Sequence, residues 1–271
     1  MLRSAPGGYV YHVTNRASGR LRLFRNQADY LAFEQVLLDA CQRQPMRILG
    51  YCFMPDHWHL ILWPKRDGDL TTFIRWLTLT HAQRWKTAHS AVGQGHLYQG
   101  RFKNFPIEQG AALLSALRFV ESTPVREKEI KRVEKWKWAS AFVRQDAGHA
   151  LFGILSDWPI ERPRRWLEQL NEPQDKAEIN TLELHIRRGR PLGEEGWIKR
   201  TVKSLHLEQT VRARGRPLTE EGRLKRIAKA LRLQQMKRPR GRPRLDGKPA
   251  GSVKPAARKP AKARRSRAKA K

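Results

Sequence analysis

Residues 48–63 decide the fold: Ile48–Met54 reads ILGYCFM, Pro55-Asp56 follows, and His57–Trp63 reads HWHLILW. Both seven-residue runs are rich in β-branched, aromatic and other apolar residues, which favours strands. Proline followed by aspartate is typical of a turn. We therefore predict that the two runs pair as a β-hairpin.

The remaining elements surround this hairpin. Gly8–Asn15 is rich in aromatic and β-branched residues and predicts a first strand, and Tyr98–Ile107 a loop that ends in a fourth. Apolar residues at three- and four-residue spacing predict three helices. The first is capped by Asn26, the second is capped by Asp69 and extends to about Ala88, and the third covers Gln109–Glu121. The order strand, helix, strand, strand, helix, strand, helix indicates an α+β fold, a ferredoxin-like sandwich whose antiparallel sheet carries its helices on one face.

The formal net charge of +30 is concentrated near the end of the chain, because residues 187–271 hold 29 Lys and Arg against 6 Asp and Glu. Such a basic segment is expected to bind a polyanion. Nucleic acid is the expected partner, and an anionic membrane surface is the weaker alternative. Binding that weakens as salt rises should follow.

The two cysteines, Cys41 and Cys52, form no C-x-x-C pair, so the sequence supports neither a disulfide framework nor a cysteine zinc site. No apolar run approaches the roughly twenty residues that span a bilayer, and the first residues lack the apolar centre of a signal peptide. We therefore expect a cytoplasmic, nucleoid-associated protein without membrane contact.

An internal repeat marks the second half of the chain. The sequence RGRPL begins at Arg188 and again at Arg214, and RGRPR begins at Arg240, which gives a period of 26 residues. Glu-Glu-Gly and an amphipathic stretch follow the first two copies. We expect a transposase-like domain over 1–145, a covering segment and linker over 146–180, a partly helical RGRP repeat region over 181–245 and a disordered basic tail over 246–271.

The histidine pair is the first candidate for chemistry. Alternate side chains on a strand point to opposite faces, so His57 and His59 share one face, roughly 7 Å apart, while Trp58 and Leu60 point into the core. Two imidazoles so placed could hold one cation. Taken alone, the spacing is weak evidence, and two ordinary hydrogen-bonded or surface histidines are the commoner explanation.

Wider motifs strengthen the case. Met54–Leu62, MPDHWHLIL, resembles the Met-Pro-Asn-His-x-His-hydrophobic signature of the REP-associated tyrosine transposases, which belong to the HUH single-strand transposase group. Tyr11–Arg16, Gln99–Lys103 and Pro124–Arg126 match further motifs of that family in the expected order. The resemblance covers roughly residues 8–145.

This resemblance implies a homodimer that binds Mg²⁺ or Mn²⁺ through His57, His59 and a polar side chain of the last helix. It also implies that a tyrosine hydroxyl on that helix attacks a DNA phosphate, forming a phosphotyrosine and freeing a 3′ hydroxyl.

The sequence departs from the family at the nucleophile. The matching position, five residues before Pro124, is Phe119, which has no hydroxyl, and the position of the third metal ligand, usually Asn or Gln, is Thr123, a poorer ligand. Helical spacing places Phe119 away from the buried stripe, on the side that a nucleophile would use. Tyr98 is a weaker alternative nucleophile.

Several basic side chains are candidate DNA contacts. Arg101 and Lys103 lie beside Tyr98 and Phe102, a mixture of cations and aromatic rings that is typical of single-strand channels. Arg118 and Arg126 flank the presumed active face and could hold phosphates, although surface ion pairs are the ordinary alternative. The RGRP copies resemble AT-hook cores, whose arginines enter the minor groove. Their arginines are Arg188, Arg190, Arg214, Arg216, Arg240 and Arg242.

Three functions remain open on sequence. The first is a transposase that cleaves and rejoins single-stranded, hairpin-forming DNA while the tail holds duplex stems. The second is a DNA-binding protein or regulator that descends from such an enzyme and has lost its chemistry, as Phe119 suggests. The third is an RNA-binding ferredoxin-like module.

Overall fold

The computed structural model describes residues 5–212 together with Leu224, Lys225 and Ala228. One compact unit extends from Met1 to Ala213. The second and third RGRP copies and the basic tail predicted over 246–271 lie outside the described residues. DNA contact by Arg214, Arg216, Arg240 and Arg242 therefore stays a prediction.

A four-stranded antiparallel sheet forms the centre of this unit. Its strands are β1 (Val10–Arg16), β2 (Arg47–Met54), β3 (His57–Trp63) and β4 (Lys103–Ile107), in the spatial order β2-β3-β1-β4. The β2–β3 hairpin pairs Met54 with His57 and Cys52 with His59. This is the ferredoxin-like order, which confirms the predicted sandwich.

Helices α1 (Gln27–Arg43) and α2 (Asp69–Ala88) cover one face of the sheet. The Asn26 side chain caps α1 by accepting a hydrogen bond from the Asp29 backbone, as the sequence predicted. Asp69 is instead the first residue of α2, and Gly68 occupies the cap position. The Asp69 carboxylate accepts from the Arg66 backbone, so it still fixes the turn that leads into the helix.

The opposite face is covered by α3 (Ala111–Glu121), so the prediction that the helices lie on one face is wrong for this helix. The reason lies in the sheet itself. Its second face carries Val10, Leu49, Ile61 and Ile107, all of them buried, and an apolar face must be covered to be removed from water.

The segment after α3 consists of short helices and covers the β2 edge. Phe53 donates its backbone N–H to the Trp138 carbonyl, and Ser156 donates to the Ile48 carbonyl. Trp166 is buried against α3. The helices are α4 (Thr123–Arg126), α5 (Ser140–Val143), α6 (Trp166–Asn171), α7 (Lys176–Arg188), α8 (Glu195–Ser204) and α9 (Glu208–Val211), with 3₁₀ turns at Val133–Lys135 and Phe152–Ile154.

The first RGRP copy is folded onto this unit. Gly189, with φ of 66°, ends α7 in the left-handed conformation that favours glycine. Leu192 then pairs with the β4 edge, donating to the Pro106 carbonyl at 2.9 Å and accepting from the Glu108 N–H at 2.8 Å. The chain from 188 to 192 is therefore part of the sheet domain.

Candidate functional site

His57 lies between two carboxylates at the start of β3. Its Nδ1 is 2.6 Å from Asp56 Oδ1, and its Nε2 is 3.5 Å from Glu127 Oε1. A carboxylate only accepts hydrogen bonds, so the Nδ1–H of His57 is the donor. This hydrogen bond lowers the pKa of Asp56 and orients the imidazole.

His59 has a different neighbour, His12, which the sequence did not single out. His12 Nε2 lies 2.9 Å from His59 Nδ1, and the His12 ring packs on Phe105 with 5.0 Å between ring centroids. Both histidines are buried. Strand alternation places His12 opposite Tyr11 and Val13, but its contact with His59 follows only from the β1–β3 pairing.

Burial gives these histidines low pKa values. Burial first, and His57 second, lower the pKa of His12 to about 3. The pKa of His59 lies well below its ordinary value because of burial and then because of His57, His12 and the Arg126 guanidinium. The two rings are therefore neutral at pH 7 and could act as ligands or hydrogen-bond partners.

Helix α3 places Phe119 directly beside the histidine pair. The Phe119 and His59 rings are perpendicular, with centroids 6.0 Å apart. The Arg126 guanidinium lies 3.8 Å from the centroid of the Phe119 ring, and only 4% of Phe119 is exposed. The position that matches the family's nucleophile is thus filled by a ring that is closed off from solvent.

Thr123 and Arg126 lock this arrangement. The Thr123 hydroxyl donates to the Phe119 carbonyl and accepts from Arg126 Nη2, both at 2.9 Å. Arg126 Nη1 donates to the same carbonyl at 2.8 Å. Removal of the guanidinium from water lowers the pKa of Arg126, which is nevertheless a permanent cation.

These residues do not form a complete divalent-metal site. The rings of His57 and His59 have centroids 4.9 Å apart and could supply two nitrogen ligands. The hydroxyl of Thr123, the third predicted ligand, is already hydrogen-bonded to the Phe119 carbonyl and to Arg126. Within residues 5–212 no group of three His, Cys, Asp or Glu side chains could hold a metal ion. The Arg126 cation in this pocket also opposes a second positive charge.

Tyr98 cannot replace the missing nucleophile. Its hydroxyl is 2.6 Å from His81 Nδ1 and accepts from Trp58 Nε1 at 3.2 Å, within the cluster under α1 and α2. His57 and His59 lie on the other face of the sheet, so the sheet separates them from the Tyr98 hydroxyl.

Two predicted phosphate contacts, Arg118 and Arg126, are engaged within the protein. Arg118 donates to the backbone carbonyls of Gln169 and Glu172 at 3.1 and 3.3 Å, which fastens α3 to α6. Arg126 is hydrogen-bonded to the Phe119 carbonyl and the Thr123 hydroxyl. Their contact with DNA stays a prediction.

Arg101 and Lys103 come together in an open groove between α2 and β4, which we call the edge groove. Its volume is about 1150 Å³, and Arg75, Leu79 and Arg187 also line it. The arginines of the first RGRP copy lie elsewhere: Arg188 donates to the Arg212 carbonyl, and the Arg190 carbonyl is bonded to His185.

No helix among the described residues is both long and apolar enough for a bilayer span.

Comparisons with known proteins give a matching family model and several similar solved structures. No curated protein sequence matches the chain. A solved structure described as a REP-associated tyrosine transposase bound to a REP hairpin has a TM-score of 0.44 and 18% identity, and the alignment covers 59% of this chain and 92% of that one. Residues 7–123, less than half of the chain, match the family model described as transposase IS200 like. Residues 7–123, which contain all four strands of the sheet, are therefore similar to the IS200-like transposases.

Proposed function

We propose that this chain is a DNA-binding protein that descends from a tyrosine transposase, holds single-stranded or hairpin DNA, and does not cleave it. The similarity of residues 7–123 to IS200-like transposases supports a DNA partner. The observation that carries the loss of cleavage is Phe119, which fills the nucleophile position beside His59 and is covered by Arg126.

The closed third-ligand position supports the same proposal. A tyrosine nucleophile needs its hydroxyl within hydrogen-bonding reach of the reacting phosphate, and metal-assisted cleavage needs a cation held on that phosphate. Phe119 has no hydroxyl that could attack the phosphate. The hydroxyl of Thr123 is already hydrogen-bonded within the protein, which weakens the case for a cation held there. The RGRP copies and basic tail would add contacts with duplex stems, and a homodimer remains a prediction from the family resemblance.

Metal-assisted cleavage and rejoining through a phosphotyrosine is the second candidate. The observation in its favour is that His57 and His59 share one face and that Asp56 orients His57. Mg²⁺ or Mn²⁺ would be the cofactor. This candidate requires a nucleophile other than Phe119, and Tyr98 lies on the wrong side of the sheet.

A covalent-adduct assay separates the two candidates. The full chain is incubated with labelled single-stranded hairpin DNA and either Mg²⁺ or Mn²⁺, and denaturing gels are searched for a protein–DNA adduct. We expect hairpin binding without an adduct. A clear adduct with the wild-type chain would contradict the proposal.

Restoring the family residues supplies the matched controls. Phe119→Tyr returns the hydroxyl, and Phe119→Tyr with Thr123→Asn also returns the usual third ligand. We expect a metal-dependent adduct in the double variant and its loss when His57→Ala is added. Hairpin affinity measured without metal should be the same in all four proteins.

A further inference from the structure

The edge groove is lined by cations without counter-charges. Arg75, Arg101, Lys103 and Arg187 are all exposed, and none of them forms an ion pair with residues 5–212. No Asp or Glu lines the groove. Four unpaired cations around one concave surface attract a polyanion, and added salt weakens that attraction by screening the charges and opposing the release of counterions.

The floor of the groove is apolar, which a binding site for phosphates alone does not need. Leu79 is 54% exposed here, and the partly buried Phe102 ring lies between the two predicted DNA contacts, Arg101 and Lys103. The amide side chains of Asn15 and Gln99 stand beside these apolar groups. An unpaired nucleobase has a flat apolar face and polar edges, which match such a surface. Paired bases in a duplex do not expose that face.

The sheet register connects the groove to the face of the sheet that carries His57 and His59, which we call the histidine face. Lys103 pairs with Thr14, and Thr14 pairs with His59, so the three residues form one row across β4, β1 and β3. Neighbouring strands are about 4.8 Å apart, which places Lys103 and His59 about 10 Å apart at the backbone. Leu192 covers the β4 edge at Ile107, at the opposite end of β4 from Lys103.

We propose that the edge groove binds an unpaired segment of single-stranded DNA, with phosphates on Arg75, Arg101, Lys103 and Arg187 and a base against Phe102 and Leu79. This inference rests on the proposed DNA-binding function and names the part of the DNA that the folded domain holds. The strand leaves the groove past Lys103 toward the histidine face.

Binding of a fluorescein-labelled oligothymidylate about ten nucleotides long to the full chain tests the charged wall. Unlabelled duplex DNA is added in excess to saturate duplex sites of the basic tail. Arg75→Ala should weaken binding about three- to ten-fold and lower the slope of log affinity against log salt by about 0.7, the value for one lost phosphate contact. Arg84→Ala is the matched control, because Arg84 lies on the same helix but pairs with Asp39.

The apolar floor is tested by a second pair of variants. Leu79→Ser should weaken oligothymidylate binding several-fold, since stacking and apolar contacts of a base are lost. It should leave duplex binding unchanged. Leu31→Ser, at a leucine of α1 that is 50% exposed and does not line the groove, should match the wild type in both measurements.

The outcomes separate this inference from the proposed function. If Arg75→Ala and Leu79→Ser bind oligothymidylate as the wild type does, the groove is not the site and the inference is overturned, while DNA binding by the chain stands. If the wild-type chain binds neither the oligonucleotide nor the hairpin, the proposed function itself fails. A clear preference for oligouridylate over oligothymidylate would overturn single-stranded DNA as the occupant.

Discussion

The histidine face of the sheet and the edge groove have opposite characters. On the histidine face, the Arg126 guanidinium, the Thr123 hydroxyl and the Phe119 carbonyl are hydrogen-bonded to one another. The histidines of this face are buried. In the edge groove, Arg101 and Lys103 are exposed and have no ionic partner among the described residues. A side chain that is already paired must give up that partner before it binds a ligand, whereas an unpaired cation gives up only water.

Under the proposed function, this contrast explains how DNA binding could persist after cleavage is lost. Cleavage depends on a few groups placed to within about an ångström, so a phenylalanine at position 119 would be enough to abolish it. Binding through several exposed cations depends on their sum, and each contributes a modest, separable part. The contrast between the histidine face and the edge groove can be tested by substitutions, from the largest expected effect to the smallest.

Replacement of one arginine on the histidine face and one in the edge groove should give very different losses of stability. Arg126→Ala removes a partly buried guanidinium that bonds the Phe119 carbonyl and the Thr123 hydroxyl and stacks on the Phe119 ring. We expect the free energy of unfolding in urea to fall by about 2–3 kcal/mol. Arg101→Ala in the groove should change it by less than about 0.5 kcal/mol. If Arg126→Ala and Arg101→Ala lowered the free energy of unfolding equally, the distinction between the histidine face and the edge groove would fail.

The buried histidines should make stability depend on pH. Because the folded pKa of His12, about 3, lies below its unfolded value, the unfolded chain takes up protons first as pH falls. The stabilisation is complete above about pH 6.5 and is lost progressively as pH falls toward 3. In His12→Phe the slope of unfolding free energy against pH, between about pH 5 and 6, should be smaller by about 1 kcal/mol per pH unit.

The comparison between variant and wild type removes an opposing contribution from Glu34. Burial raises the pKa of Glu34 to about 7, which favours the folded chain at low pH, but this carboxyl is present in both proteins. His96→Phe, at an exposed histidine of the edge groove, is the control and should keep the wild-type slope. A His12→Phe slope identical to the wild type would show that His12 is not buried as a neutral ring.

Sequence patterns are sufficient to place the strands and the β2–β3 hairpin because each of these patterns is local. Alternation in His57–Trp63 fixes which side chains face the core, and the Pro55-Asp56 turn fixes the hairpin. The same alternation could have corrected the error about α3, because Val10, Leu49 and Ile61 on the second face are as apolar as their neighbours. A sheet that is apolar on both sides needs helices on both sides.

The candidate site was less accessible from sequence because its contacts join distant segments. His12 meets His59 only through strand register, and Arg126 closes on Phe119 only because a helical turn places them together. The repeat shows a further limit. The Arg-Gly-Arg-Pro pattern suggests a DNA-binding arm. A glycine directly after a helix, followed soon by proline, is also typical of a helix end, and Gly189 ends α7 in this way.

The smallest expected effect concerns Gly189 of the first RGRP copy, which ends the helix that lines the edge groove. Ile186 and Arg187 in the last turn of α7 line the groove, and Gly189 ends that helix with φ of 66°. An alanine there must adopt the left-handed conformation, so Gly189→Ala should lower the free energy of unfolding by about 1 kcal/mol. Gly196→Ala, at an exposed glycine within α8, shortly after this copy, should be neutral or stabilising because alanine favours the helix.

Binding measurements on the same two variants extend the test to the groove. If the left-handed turn positions Arg187, Gly189→Ala should weaken oligothymidylate binding by about two-fold, roughly a partial loss of one phosphate contact. Gly196→Ala should keep the wild-type affinity. A loss of affinity in Gly196→Ala alone would instead assign the contact to α8, and the wall of the groove would then play no part in holding the strand.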